Sequence, residues 1–363
     1  MTSKERVAAA LEGRVPDRVP YGEFAVDFDT VERVLGHETY LRAKAKSQIA
    51  FWEGRTDEVA QSWREDHIAL LKRLPLDIVT FPMATWELPP PDAPPPPRRI
   101  DASTWEDREG RVYKLSEATQ DITCVHDPVR DAHVFTAEEF AGEPEPPRRD
   151  ERSWAILDAV VREFNDERYI CGPSGGSVGI VLLGGLERGL LEIGANPETV
   201  RAATSRLVEA QNAADALMIH PDADAVMWAE DLGFKTGPLI GPAAFRDLFL
   251  EANKERVRSV KGRHGKKVVK HCCGNIAMLL DFFVEIGFDA YQSIQPTAGM
   301  DICRLKRDYG DRLALWGGVA VEHLVGGTPE DVRADVRRAM ACAKPGGRFI
   351  LGASHSVAVG TKY

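Results

Sequence analysis

Between Tyr169 and Ala353 six short apolar runs alternate with helical segments, and this alternation limits the fold more than any other feature of the chain. Consecutive strands linked through helices need crossover connections, which make the strands parallel and lay helices over the sheet. The periodicity predicts helix Ser153–Phe164 before strand Tyr169–Gly172, then helices Val178–Glu192 and Pro197–Ile219 before strand Ala225–Ala229. Helix Pro242–Arg263, strand Lys267–His271, helix Ile276–Ile286 and strand Ala290–Ile294 come next. Helix Ile302–Tyr309, strand Leu313–Gly317, helix Thr328–Ala343 and strand Arg348–Ala353 complete the series. Upstream, Ile78–Phe81 reads as a strand and Tyr21–Phe24 as the remaining candidate. The count is then about eight, the number that closes a (β/α)8 TIM barrel. An open doubly wound sheet is the alternative, although no Gly-x-Gly-x-x-Gly follows a first strand.

Residues 87–150 break the pattern. Pro89–Pro91 and Pro94–Pro97 are too rigid for a helix interior. Asp107-Arg108-Glu109-Gly110 is a turn signal between Trp105 and the Val112–Tyr113 run, which predicts a β-hairpin within Thr104–Asp121. The reading is one domain, residues 1–363, carrying a proline-rich insertion that serves as surface decoration, a lid or an oligomer contact.

Acidic residues exceed basic ones, 56 to 46, which argues against nonspecific binding to a phosphate backbone. No apolar run approaches the ~20 residues of a membrane span, and the charged N-terminus lacks the apolar core of an export signal. A cytoplasmic protein with six reduced cysteines is expected, its thiols available to a metal.

In a barrel, chemistry gathers where strands end and the following loops begin. The richest such position is Lys270-His271-Cys272-Cys273-Gly274. His271 and Cys273 are two apart, so both side chains leave one face of the strand, and imidazole with thiolate favours zinc. Cys272 points the other way and packs. His355, just past the last strand, is a third candidate ligand. The plain alternative is a buried thiol beside a structural histidine. Glu230, just past another strand, is a candidate fourth ligand or proton-transfer group, and its neighbour Asp231 is a second catalytic candidate or else a cap or salt-bridge partner; which carboxylate faces the site is left open. Tyr21, Glu23, Phe81, Ser174, Trp228, Gln295 and Trp316 lie at strand ends as candidate substrate contacts. The glycines of Cys171–Ser177 expose N–H groups that suit a substrate wall.

These segments in this order resemble the uroporphyrinogen decarboxylase superfamily, especially its corrinoid-related methyltransferase branch. The resembling pieces are Arg6–Pro20, Asp231–Phe245, His271-Cys272-Cys273-Gly274, Gln295-Pro296 with Gly299-Met300-Asp301, Leu305-Lys306, Trp316–Val319 and Gly346–Leu351. The resemblance implies a (β/α)8 barrel and a zinc site of the His-x-Cys-Gly type with a later cysteine, a position that falls here on His355. It implies methyl transfer between a small substrate and a corrinoid, or a thiol or hydroxyl acceptor, O-demethylation included. Decarboxylases of this superfamily carry a basic Arg-Gln-Ala-Gly-Arg motif, whereas the matching Tyr21–Asp27 is acidic. Asp77 aligns poorly with their catalytic aspartate.

The expected cofactor is zinc, with methylcobalamin supplied in trans because no Asp-x-His-x-x-Gly segment is present. Expected partners are a small-molecule methyl donor or acceptor, a separate corrinoid protein and a second copy in a homodimer. A decarboxylase acting on a carboxylated substrate and a non-catalytic corrinoid or tetrapyrrole carrier are the competing readings. The resemblance also implies a closing helix past the last strand, where the sequence reaches Tyr363.

Overall fold

The computed structural model describes residues 1–362. Seven parallel strands form one strongly curled sheet whose spatial order is the sequence order: β1 Ile78–Thr80, β2 Tyr169–Gly172, β3 Ala225–Ala229, β4 Lys267–His271, β5 Ala290–Ile294, β6 Ala314–Val319 and β7 Phe349–Ala353. Helices lie between consecutive strands, as the alternation requires. β5 and β6 are buried along their whole length, the pattern of strands covered on both faces.

Residues 20–22 fill the space between the two edge strands. Leu351 N–H in β7 donates to Pro20 O (2.9 Å), Gly22 N–H to Leu351 O (3.0 Å), and Asp77 N–H beside β1 to Tyr21 O (2.7 Å). The expected strand Tyr21–Phe24 is thus an irregular extended segment, bridged to Leu351 at Tyr21 and to Val357 at Val26. Trp316, expected on the substrate wall, is instead fully buried inside the sheet with Ile78, Tyr169 and Ile350, and its indole N–H donates to Gly22 O (2.9 Å).

Asp77 precedes β1, at the N-terminal end of the sheet, opposite the strand ends that carry chemistry. It is fully buried and accepts from Arg6 (2.9 Å), both terminal nitrogens of Arg18 (2.8 Å each), Ser3 Oγ (2.6 Å) and Tyr21 N–H (2.7 Å). Burial pushes its carboxyl up, but the bonds from Arg18, Ser3 and Tyr21 outweigh that and hold it below the ordinary value. Asp77 is a latch for the N-terminal segment.

The expected helix Val178–Glu192 begins later, at Leu186, and runs to Ala195. Gly176, Gly179, Gly184 and Gly185 adopt positive φ, so residues 173–185 form a loop instead. The expected hairpin is present as strands Thr104–Glu106 and Val112–Ser116, the central pair of a four-stranded antiparallel sheet with Arg98–Arg99 and Asp121–His126. Cys303 and Cys342 are not reduced thiols: they form a disulfide between helices Ile302–Tyr309 and Pro329–Ala343. Their spacing of 39 residues gave no sign of it, because the pairing arises only when the two helices pack side by side. No helix among the described residues is long and apolar enough to cross a membrane. The described residues past the last strand, 354–362, hold no helix.

Glu23 sits in the closing segment, buried, with its carboxyl accepting from Ala353 N–H (2.9 Å). Burial raises it from 4.5 to about 8, against the opposing bonds from Ala353 and Tyr21. A carboxyl raised on folding contributes stability below its unfolded value that is lost as pH rises through the folded one. The wild type should therefore lose stability relative to Glu23→Gln by about 1 kcal/mol per pH unit between pH 5 and 8. Urea unfolding of both proteins across that range measures it, and parallel pH profiles would contradict it.

Candidate functional site

Three potential ligand atoms converge at the C-terminal ends of β3 and β4. Asp231, His271 and Cys273 each offer one, all within 4.8 Å of one another. Cys273 Sγ lies 3.4 Å from His271 Nε2 and 3.2 Å from Ser293 Oγ, and Cys273 N–H donates to Asp231 Oδ1 (3.0 Å).

The histidine is held at one ring nitrogen and on one ring face. Its Nδ1 bonds Gln292 Oε1. Gln292 Nε2 in turn donates to Ala353 O (3.3 Å), which fixes the amide with its oxygen toward the imidazole. Nδ1 therefore carries the proton, and Nε2 keeps a lone pair directed at the cluster. The ring of Phe24 stacks on His271 with centroids 3.9 Å apart. Burial lowers the His271 pKa to about 4, so the imidazole is neutral at pH 7. Burial, then the nearby Asp231 charge, pushes the Cys273 thiol up; a cation among these atoms is what would favour its thiolate.

Gln292 and Ser293 were not singled out in the sequence. A bulge in β5 between Gln292 and Ile294, with Ser293 at φ +85°, lets two adjacent residues serve the same site. The available signal was a polar Gln-Ser pair inside an otherwise buried strand.

The adjacent carboxylates part company. Asp231 is exposed and joins the cluster, whereas Glu230 pairs with the buried Lys270 amine and takes no place in it. Burial lowers Lys270 to about 8. Cys272 is buried and packed, accepting from Leu232 N–H (3.2 Å), and burial pushes its thiol to about 12. His355 stands beside the cluster, its ring centroid 6.1 Å from that of His271 and nearly perpendicular to it, with Nδ1 on Ser356 Oγ (2.9 Å).

Asp231, His271 and His355 face a cavity of about 950 Å³. Phe81, Ser174 and Trp228 line it, joined by Phe24, Trp86 and Met227. Ala118, Thr119, Pro147 and Arg148 bring residues 87–150 to its wall. Tyr21, Glu23, Gln295 and Trp316 do not line it: Tyr21 and Glu23 belong to the closing segment, and Gln295 Oε1 accepts from Gly274 N–H (2.7 Å). Two of the loop N–H groups expected to be exposed on a substrate wall are taken, Gly175 by Asp215 (2.9 Å) and Gly176 by Ser174 Oγ (3.1 Å).

Residues 121–363 match the family model of uroporphyrinogen decarboxylase (URO-D), and the chain belongs to that family. No curated protein matches it in sequence. Among solved structures it is similar to a methyltransferase from Methanosarcina mazei, with a TM-score of 0.67 and 17% identity over 100% of this chain and 95% of the other. That likeness is one of fold.

The cluster depends on a close approach of two loops. Gly274 has φ +83°, and a Cβ there would stand 2.2 Å from Gly233 O. Gly274→Ala should destabilise the protein by about 1–3 kcal/mol, the usual scale of such backbone strain. Equilibrium urea unfolding tests this; an unchanged midpoint and slope would contradict it.

Proposed function

We propose that this chain is a zinc-dependent methyltransferase, moving a methyl group between a small substrate and a corrinoid or a thiol or hydroxyl acceptor. The convergence of Asp231, His271 and Cys273 beside a large cavity is the observation that carries this reading. Family membership and the fold likeness to a methyltransferase support it. In the same reading the curled sheet and the segment 20–26 together make an eight-stranded barrel, and residues 87–150 are an insertion in it.

The residues fit a zinc ion by their chemistry. A neutral, oriented imidazole nitrogen, a thiol and a carboxylate lie close enough to share one ion, with His355 as a further donor at the rim. His271 and Cys273 with His355 would be the protein ligands, and Asp231 a fourth that substrate can displace. Zinc bound there would supply Lewis-acid activation of a thiol, hydroxyl or ether oxygen. Gln292 keeps the His271 tautomer, Ser293 holds the Cys273 sulfur, and Asp231, exposed on the cavity wall, can take the proton of an incoming thiol or hydroxyl. The aromatic wall excludes water and receives a flat or apolar body. A corrinoid would arrive on a separate protein or by diffusion.

The decarboxylase reading finds less support. Of the cations on the cavity wall, Arg42 is paired with Asp27 and Lys44 with Asp121, which leaves Arg148 to meet a substrate rich in carboxylates.

Protein purified without added metal should carry close to one zinc per chain by elemental analysis. Cys273→Ser should lose most of it, and Gln292→Ala should weaken zinc affinity about 10- to 100-fold while the fold is kept. Both should lower consumption of methylcobalamin with a thiol acceptor. A wild-type protein with little zinc, unaltered by Cys273→Ser, would defeat the proposal.

A further inference from the structure

The loop of residues 173–185 carries one wall of the cavity without any regular structure of its own. It is gripped from behind by four polar side chains on two helices, Pro197–Met218 and Leu250–His264. Asp215 Oδ1 accepts from Gly175 N–H (2.9 Å), Arg256 donates to Gly176 O (2.7 Å), Gln211 Nε2 to Ser177 O (2.7 Å) and Asn253 Nδ2 to Gly179 O (3.0 Å). Four loop residues are thus each fixed by a different side chain.

At the centre of this grip is an ion pair. Arg256 and Asp215 meet at 2.6 and 3.0 Å, and both side chains are 0% exposed. A buried pair of this kind is a weak source of stability, since well-packed apolar residues often do as well or better. What an apolar pair would lack is the two bonds to the loop backbone. The approach is also close: a Cβ on Gly175 would stand 2.3 Å from Gln211 O.

The grip reaches the cavity surface. Ser174 Oγ, next to the clamped glycines, accepts from the Trp228 indole N–H (2.8 Å). The Arg256 guanidinium lies over the Trp228 ring, 5.4 Å from its centroid. Ser174 and Trp228 both line the cavity.

We propose that Arg256 and Asp215 are positioning residues, which set the Ser174–Trp228 wall and so decide how an apolar substrate body fits beside the metal donors. This rests on the cavity being the substrate site of the proposed methyltransferase. Neither residue touches the donor cluster, so their effect falls on the fit of the substrate body and not on metal affinity.

The test compares the wild type with Arg256→Lys and with the double variant Arg256→Met/Asp215→Leu. The double variant removes both charges and should fold even if the single one does not. Amide hydrogen exchange of residues 174–179 should quicken at least about tenfold in the folded double variant, with exchange in β3 unchanged. In cobalt-loaded protein, the increase in thiolate-to-cobalt absorption over the band that Cys273 gives by itself reports binding of an added thiol. Benzyl mercaptan should bind about tenfold more weakly to the variants, while 2-mercaptoethanol, too small to reach the wall, and cobalt itself bind as before. Unchanged loop exchange overturns the proposal. So does quickened exchange with the preference for benzyl mercaptan intact, which leaves the pair a structural role only. Absence of any cobalt–thiolate absorption in the wild type counts against the metal reading instead, and the exchange result then decides the clamp by itself.

Discussion

The contact between the turns at Gly233 and Gly274 is what makes a site out of two strand ends. β3 and β4 are neighbours in the sheet, but their loops come together only because Gly274 has no side chain and can hold φ +83° against Gly233 O. Asn275 N–H fastens the junction by donating to Phe234 O (2.7 Å), while Gln295 Oε1, at the end of β5, accepts from Gly274 N–H (2.7 Å) and holds the second turn from its other side. With the turns so joined, Cys273 N–H meets the Asp231 carboxylate and the third donor enters the cluster. A larger residue at 274 would push the loops apart and with them the ligand atoms.

Buried charge follows a consistent division. Asp77 with Arg6 and Arg18, Glu230 with Lys270, and Asp215 with Arg256 are each compensated by a partner. Such pairs hold segments in place: the N-terminal latch, the back of β4 and the cavity loop. Asp231 differs in pairing with no cation among the described residues and in facing the cavity beside a neutral imidazole and a thiol. A carboxylate in that company is suited to a divalent ion or a proton.

Much of this was legible in the sequence, for reasons that differ by element. Strands β2, β3, β6 and β7 were readable because parallel strands covered on both faces are continuous apolar runs, and the shorter apolar cores of β4 and β5 were readable from their place between helical segments. His271 and Cys273 were readable because a two-residue spacing at a strand end puts both on one face. The loop 173–185 was not: its apolar Val178-Gly179-Ile180-Val181-Leu182-Leu183 imitates a helix, and only the positive φ of its glycines shows otherwise. The choice of Asp231 over Glu230 turned on Lys270, whose burial behind the strand has no mark in local sequence. Gln292 and Ser293 reach one site through a bulge that no period-two pattern anticipates. Trp316 and Glu23 were placed by proximity to strand ends, whereas the way residues 20–26 close the sheet puts both in the interior.

The proposed site mixes nitrogen, sulfur and oxygen donors around one divalent metal. Zinc K-edge X-ray absorption of the protein as purified reads that donor set. One sulfur near 2.3 Å is expected, with the remaining ligands nitrogen or oxygen at about 2.0–2.2 Å. Two or more sulfurs in the coordination shell, or a spectrum with no sulfur at all, would contradict it.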